Sequence, residues 1–487
     1  MKKLLILVVL VVFLAMGLWC GATFWYGVKT EERYYALLRQ ASNIQNLRFE
    51  NESYSRGFLD SRARTVLVIQ PSPGTAAENA SFRITLAHDI THGPFPFHKS
   101  VEGVRQFKPL AAIIETRVVF SPETRDQLAE LYAQIPELEA TRDTTLIFLD
   151  GKGLERFVIP AFRRTLGGED PLTLDWKGLS FQLNFTREFK RLSGSLSIPA
   201  LEILGKDLGL KIQEVQSFFN SEEGIQGLSL GEASFSLGAL EFAERSAAGS
   251  SFFQLGGLSI TTSAKASGDL VNFRLNVRSD EVHFDEIQAR SGVFDLEVRN
   301  LDAASLAKMA RNLDERETQP APGPLEPAQE KTLARYLEIL PSLLKKSPEI
   351  ELRQLDIRTS DGNFTARAKI AYDGAKSVSA PYLYLPALVN GVSAQAEILA
   401  AELLVRRVAA AFLEDAILAE IQEEGMEDLD EQEIHDLVST RIDGRLNALA
   451  ARNFLVKQEG SYQVTASYNA GEILWNGRPL QVQDLLQ

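Results

Sequence analysis

The chain has 487 residues, 45% of them hydrophobic, and a formal net charge of −14 at pH 7. So acidic a body carries no electrostatic footprint for nucleic acid, which excludes that class of partner. Its one cysteine, Cys20, lies inside an apolar run, so the remainder has neither a disulfide framework nor a thiol nucleophile.

Met1, Lys2 and Lys3 precede an uncharged stretch from Leu4 to Tyr26. About 20 helical residues cross a bilayer core, whereas a cleaved secretory segment is shorter and ends in small residues. Trp25 and Tyr26 suit a membrane interface, and Trp19 before Cys20 argues against lipoprotein cleavage. Residues 1–28 are therefore expected to form a cytoplasmic stub and transmembrane signal anchor, with the membrane held through residues 4–26. The positive-inside rule keeps Lys2 and Lys3 in the cytoplasm and exports the rest, whose net charge is then −16. That part must be stabilised by its own core, and it is long enough for one large or two ordinary domains.

A short helical pattern over residues 30–45 places Tyr34, Leu37, Leu38 and Ala41 on one face. The period then changes to two. Val66–Ile69, Phe82/Ile84/Leu86 and Ala112–Phe120 read as strands, with a turn at Pro71–Gly74. Ser121 with Pro122 predicts a short helix toward Leu138. Leu172/Leu174/Trp176 and Leu179/Phe181/Leu183/Phe185 alternate with small polar residues, and the theme repeats to Val298. Turns are expected at Gly194, Gly231, Gly268–Asp269 and Ser291–Gly292. Such strands give a sheet with one apolar and one wet face.

Residues 300–314 return to helical spacing, with Asp302 as the N-cap. Four prolines in 319–327 make a loop. A helix over 331–344, a hairpin around Asp361–Gly362, helices over 399–422 and 428–451, and a closing hairpin over 462–475 complete the pattern. The fold class is α+β, mainly antiparallel β: an N-terminal transmembrane helix, then an extended curved or sandwiched sheet with several helices in the C-terminal half. The expected divisions are a mainly-β region 29–314, a Pro-rich linker 315–330, and an α+β region 331–487 continuing the same body.

His88-Asp89-Ile90-Thr91-His92 has the spacing of a zinc-protease H-E-x-x-H helix. Gly93-Pro94 ends any helix there. In a strand the two histidines share a face but lie about 13 Å apart, too far for one zinc ion. His98 is the remaining histidine of this stretch. No G-x-S-x-G elbow and no P-loop occurs. Acidic runs such as Glu423-Glu424 read as solvated faces. No catalytic, metal or cofactor residue is expected.

Three short motifs carry a family resemblance. They are Tyr54-Ser55-Arg56-Gly57, then His92-Gly93-Pro94-Phe95-Pro96, and Gly471 to Gly477 with Asn476-Gly477 at its end. With the apolar N-terminus and the strands, the chain resembles the YdgA-like family of bacterial inner-membrane proteins of unassigned function. It departs from that family at Thr91, where Asp often precedes the His. The resemblance implies a β-rich periplasmic body, single-pass in the bacterial inner membrane. It implies no substrate, cofactor or catalytic residue.

Physical chemistry reads these positions as structural. Pro94 and Pro96 fix φ, and Gly93 admits a conformation that other residues resist. Phe95 and Phe97 anchor a bent loop, Arg56 at Gly57 stacks or hydrogen-bonds, and Asn476-Gly477 makes a tight turn. The expected function is non-enzymatic: an inner-membrane-anchored envelope protein that contacts or carries a lipid or other apolar ligand on a β-sheet groove. The alternative is an envelope scaffold or interaction protein with a closed core and no ligand, for which a homodimer is one arrangement.

Overall fold

A computed structural model describes residues 2–41, 47–69, 82–96, 109–119, 133–167, 170–246, 249–284, 287–317, 338–376, 389–423 and 431–480. The chain forms two compact units, residues 1–223 with 312–323, and residues 224–311 with 324–487. It is mainly antiparallel β with several helices, as the alternating patterns require.

The first unit opens with helix α1 (Lys2–Ala41). The anchor run and residues 30–41 of the next pattern are one unbroken helix, because no Gly-Pro or turn signal separates them, and residues 42–45 lie outside the described residues. Among the described residues, no helix is long and apolar enough to cross a membrane. The side chains of residues 4–12 of the expected span lie outside the described residues. Over residues 13–18 the helix is exposed all round, and from Trp19 onward one face is covered.

The strands of this unit are β1 (Leu47–Arg56), β2 (Asp60–Ile69), β3 (Phe82–His92), β4 (Leu110–Val119), β5 (Arg142–Phe148) and β6 (Gly153–Ile159). They continue with β7 (Phe162–Leu166), β8 (Leu172–Trp176), β9 (Leu179–Phe185), β10 (Arg191–Leu204) and β11 (Leu208–Glu223). Antiparallel pairing runs from β1 in sequence order to β6, then to β9, β10 and β11. A β7–β8 hairpin joins through β8 to β10. Ala63, Ile90 and Ala112 form a buried cluster on one face, under Tyr34 of α1. Leu110, Ile113 and Leu146 form another.

The second unit holds β12 (Ser229–Ser246), β13 (Gly249–Ser267), β14 (Leu270–Ser279), β15 (Glu281–Phe284) and β16 (Ile287–Asp302), then helix α2 (Ala303–Glu317). After a short helix over residues 338–344 come β17 (Glu349–Thr359), β18 (Gly362–Tyr372) and β19 (Val392–Ala401). Helices α3 (Glu402–Glu423) and α4 (Glu431–Ala451) precede β20 (Val456–Gln458), β21 (Ser461–Asn469), β22 (Glu472–Trp475) and β23 (Arg478–Pro479). Pairing passes from β12 through β13, β14, β16, β17, β18, β19, β21 and β22 to β23. Asp302 caps α2 as its position predicts: its Oδ2 accepts from the Ser305 backbone N at 2.8 Å and from Ser305 Oγ at 2.6 Å.

Three expected turns are interior strand positions. Gly194 lies within β10 opposite Phe219, whose ring occupies the space a Cβ would need. Gly231 lies within β12, and Ser291–Gly292 pairs within β16 just after a bulge between Ala289 and Ser291. Glycine weakens a strand without ending it when a partner's aromatic ring fills the gap. The helix expected from residue 399 starts at Glu402, because 392–401 pair as β19 between β18 and β21. Tertiary pairing overrides the helical propensity of that Ala-rich stretch. Pro71–Gly74, residues 319–327 and most of 121–138 lie outside the described residues.

The closing motif locks a hairpin. Asn476 and Gly477 adopt left-handed φ of 46° and 76°, the conformation a two-residue hairpin turn demands. Asn476 Oδ1 accepts from the Thr465 backbone N, and its Nδ2 donates to the Asn453 carbonyl, both at 2.7 Å. Trp475 Nε1 donates to the Phe454 carbonyl at 3.0 Å. Asn476→Ala should therefore cost about 2–3 kcal/mol, measured by denaturant unfolding, while Asn476→Gly should recover the backbone part alone.

Candidate functional site

Two of the three motifs meet on α1. The chain turns back at Gly57, whose backbone N donates to the Asp60 carbonyl at 2.8 Å. That hairpin brings Tyr54 and Arg56 beside the helix. Arg56 stacks over the Phe24 ring at 5.5 Å and pairs with Glu31 at 2.7 Å. Tyr54 packs on Tyr34 and Tyr35, with centroids 5.1 and 5.9 Å apart.

The second motif follows β3. Gly93 donates to the Ala111 carbonyl, and Leu110 donates to the Pro94 carbonyl. The Gly93–Pro94 peptide is cis. Gly93 is needed for close approach and not for a positive φ, since a Cβ there would lie 1.7 Å from the Leu110 carbonyl oxygen. Thr91 is buried on the face of β3 opposite His92. Phe97 and His98 lie outside the described residues.

His92 is 2% exposed and fixed on two sides. Its Nδ1–H donates to the Phe58 carbonyl at 3.3 Å, an acceptor-only group that sets the tautomer. Its Nε2 then accepts from Ser61 Oγ at 2.8 Å. This is the geometry of a serine–histidine dyad. Both residues are fully buried, and the ring is closed off by α1. A Cβ on Gly27 would lie 2.7 Å from His92 Cε1 and Nδ1. No substrate reaches such a serine, so the pair joins helix to sheet. Ser61 escaped the sequence reading because only the β2–β3 register reveals it.

A row of polar side chains runs from the helix across the same face. Tyr34 OH lies 2.9 Å from Thr65 Oγ1, and Thr65 Oγ1 lies 2.9 Å from His88 Nε2. His88 Nδ1 lies 3.0 Å from Thr116 Oγ1, and Thr116 bonds in turn to Asp143. With Asp143 ionised, Thr116 donates to it, so His88 donates to Thr116 and accepts from Thr65. A protonated Asp143 can instead donate to Thr116, which permits the opposite donor direction and the other His88 tautomer. Burial lowers His88 to about 4. Burial raises the Asp143 carboxyl, and burial with the Asp143 charge raises Glu155 to about 7. His88 and His92 share a face four residues apart on one strand, as strand geometry predicts. Among the described residues, no three His, Cys, Asp or Glu side chains converge as a metal site requires.

The second unit presents a sheet with two unlike faces. One carries mutual ion pairs, such as Arg299 with Glu349 and Glu351 and Arg353 with Glu297. A shallow groove of about 430 Å³ on this side is lined by Glu351, Arg353, Arg367, Lys369, Glu397 and Thr465. On the other face, directly paired residues make an apolar row across β14, β16, β17, β18, β19, β21 and β22. It comprises Phe273, Val298, Ile350, Ile370, Ala394, Tyr468 and Ile473. The adjacent row is equally apolar: Leu275, Leu296, Leu352, Ala368, Ala396, Ala466 and Trp475. Helices α3 and α4 form a core with Tyr462 at one end of this face. At the other end Phe273, Ile350, Ile370 and Ile473 stay 39%, 47%, 49% and 38% exposed. The strand expected to show this property, β9, keeps Leu179, Phe181, Leu183 and Phe185 half-buried with Ser180 and Asn184 exposed.

A family model described as bacterial protein of unknown function (DUF945) matches residues 1–483. No curated protein and no solved structure matches the chain.

Gly27→Ala should cost about 2 kcal/mol by forcing the His92 ring away from α1, seen as a lower melting temperature and faster proteolysis near residue 40. His88 and Glu155 oppose each other with pH. A histidine whose pKa falls from 6.5 to about 4 on folding loses stability as pH drops through that window. A carboxyl raised from 4.5 to about 7 gains stability as pH drops from 7 to 4.5. Each contributes at most about 3 kcal/mol. Unfolding of His88→Gln should therefore show stabilisation on acidification, and Glu155→Gln the reverse. Parallel pH slopes in the two variants would remove this assignment.

Proposed function

We propose that this chain, which belongs to the family of bacterial proteins of unknown function (DUF945), is a membrane-tethered envelope protein that holds lipid on a β-sheet face. The observation that carries the reading is the exposed end of the apolar face in the second unit. Large side chains left open along one paired row amount to an apolar patch, and such patches mark ligand or membrane contact. Acyl chains match it, since the two rows carry no formal charge and tyrosine and tryptophan supply their only polar atoms.

The tether is α1. Phe13, Leu14, Met16 and Leu18 are all more than half exposed, as are Phe24 and Trp25 further along. With the uncharged residues 4–12 before them, they supply the apolar length for a bilayer. Lys2 and Lys3 favour a cytoplasmic start and an exported body. A bacterial inner-membrane, YdgA-like protein with a periplasmic body fits these features.

A second reading has its own observation. Val408 and Phe412, one turn apart on the same face of α3, are 47% and 83% exposed, the kind of helix face a second copy of the chain would cover. The scaffold alternative is thus a homodimer through α3.

Native mass spectrometry of the detergent-purified full chain separates the two. Lipid adducts should accompany the wild-type protein and fall several-fold in an Ile350→Asp/Ile370→Asp variant, whose charges resist burial under an acyl chain. Equal adducts in both proteins would overturn the lipid reading. A dimer abolished by Phe412→Ser would favour the scaffold.

A further inference from the structure

In the first unit the Arg33 guanidinium and the side-chain stem of Arg187 come together beside the β5–β6 turn. Arg33 lies about two helical turns past Tyr26, roughly 10 Å along the axis of α1. Its Nη2 lies 3.0 Å from the point a Cβ on Gly151 would occupy, in the β5–β6 turn. Cγ and Cδ of Arg187, from the β9–β10 turn, lie 3.0 and 3.1 Å from the same point. The two side chains are therefore separated by no more than the sum of those distances.

The neighbouring acids are already engaged. Asp150 pairs with Lys152 at 2.8 Å, and Glu188 pairs with Lys190 at 3.2 Å. Among the described residues, no hydrogen bond or ion pair engages Arg33 or Arg187. Burial, then the like charge of Arg187, push Arg33 below its ordinary value. Two like charges held this close are relieved by an anion that both can grip, and the guanidinium fork fits an oxyanion in a way an ammonium does not.

We propose that Arg33 and Arg187 form a receptor for a phosphate-type oxyanion, carried on a phospholipid headgroup or free in solution. If the bilayer boundary lies at Tyr26, Arg33 is near the headgroup layer, which is about 5–7 Å deep on each side of the hydrocarbon. The headgroup is then the nearer source. This site depends on α1 and two turns of the first unit, and it stands whether or not the second unit holds an acyl chain.

The test uses the full chain in non-ionic detergent with three probes: dihexanoyl phosphatidylglycerol, dihexanoyl glycerol and inorganic phosphate. Binding is read by titration calorimetry. Arg33→Gln and Arg187→Gln should each weaken the phosphatidylglycerol at least about tenfold, and Arg187→Lys should weaken it less. Without any anion, Arg187→Gln should melt no lower than wild type, since it removes a like-charge contact, so lost binding is separated from lost folding. The same tenfold loss for inorganic phosphate assigns the site to free phosphate, whereas a loss confined to the phospholipid assigns it to the headgroup. The proposal is overturned if wild type binds neither anion, if the variants bind as wild type does, or if the phosphate-free glycerol lipid binds equally well.

Discussion

The contact between Gly27 and the His92 ring governs the first unit. A ring so close to helix backbone leaves no room for any side chain at position 27, and it requires the imidazole to be neutral and held in one tautomer. The Phe58 carbonyl and the Ser61 hydroxyl meet that requirement. The Arg56 hairpin closes over the same face of α1, through Phe24 and Glu31. Motifs some 35 residues apart in sequence thus serve one joint. Their chemistry looks catalytic in type, with a histidine, a serine and an arginine, but their burial makes them a clamp.

The second unit follows from a different constraint. Antiparallel pairing sends alternate residues to opposite faces, so a polar row and an apolar row are generated together. The polar rows satisfy themselves with partly exposed ion pairs. Among the described residues, α3 and α4 form their core on the apolar face at its Tyr462 end. In an ordinary sandwich the uncovered end would meet a second sheet. Here four large side chains remain open, and the lipid reading follows from that asymmetry.

Much of this was legible in the sequence. Alternation located the strands, Asp302 announced its helix, and Asn476-Gly477 announced its turn. The separation of His88 from His92 followed from strand rise alone. Glycine misleads most: Gly194 and Gly231 carry a turn signal in sequence, yet both are interior strand positions, and the Phe219 ring fills the space beside the first. The Ala-rich strand β19 resembles a helix by composition, and only its two neighbours fix it as a strand. The joint itself was half visible. His92, Arg56 and Gly57 stood out, but Ser61, Gly27 and Phe24 matter through partners more than 25 residues away, and no local pattern encodes those. The row from Tyr34 to Glu155 likewise draws one residue from each of six elements.

Helix α1 runs for 40 residues without a break, about 60 Å. A domain on a flexible tether would swivel freely about its point of attachment. Here the free half and the clamped half are one rod, so whatever fixes residues 2–18 also fixes the heading of the first unit's sheet. Rolling the helix about its axis by one residue would turn that sheet through about 100°. The protein therefore holds a bearing as well as a position, and inserting a single residue between Leu18 and Thr23 would redirect the sheet while leaving its own contacts with α1 intact.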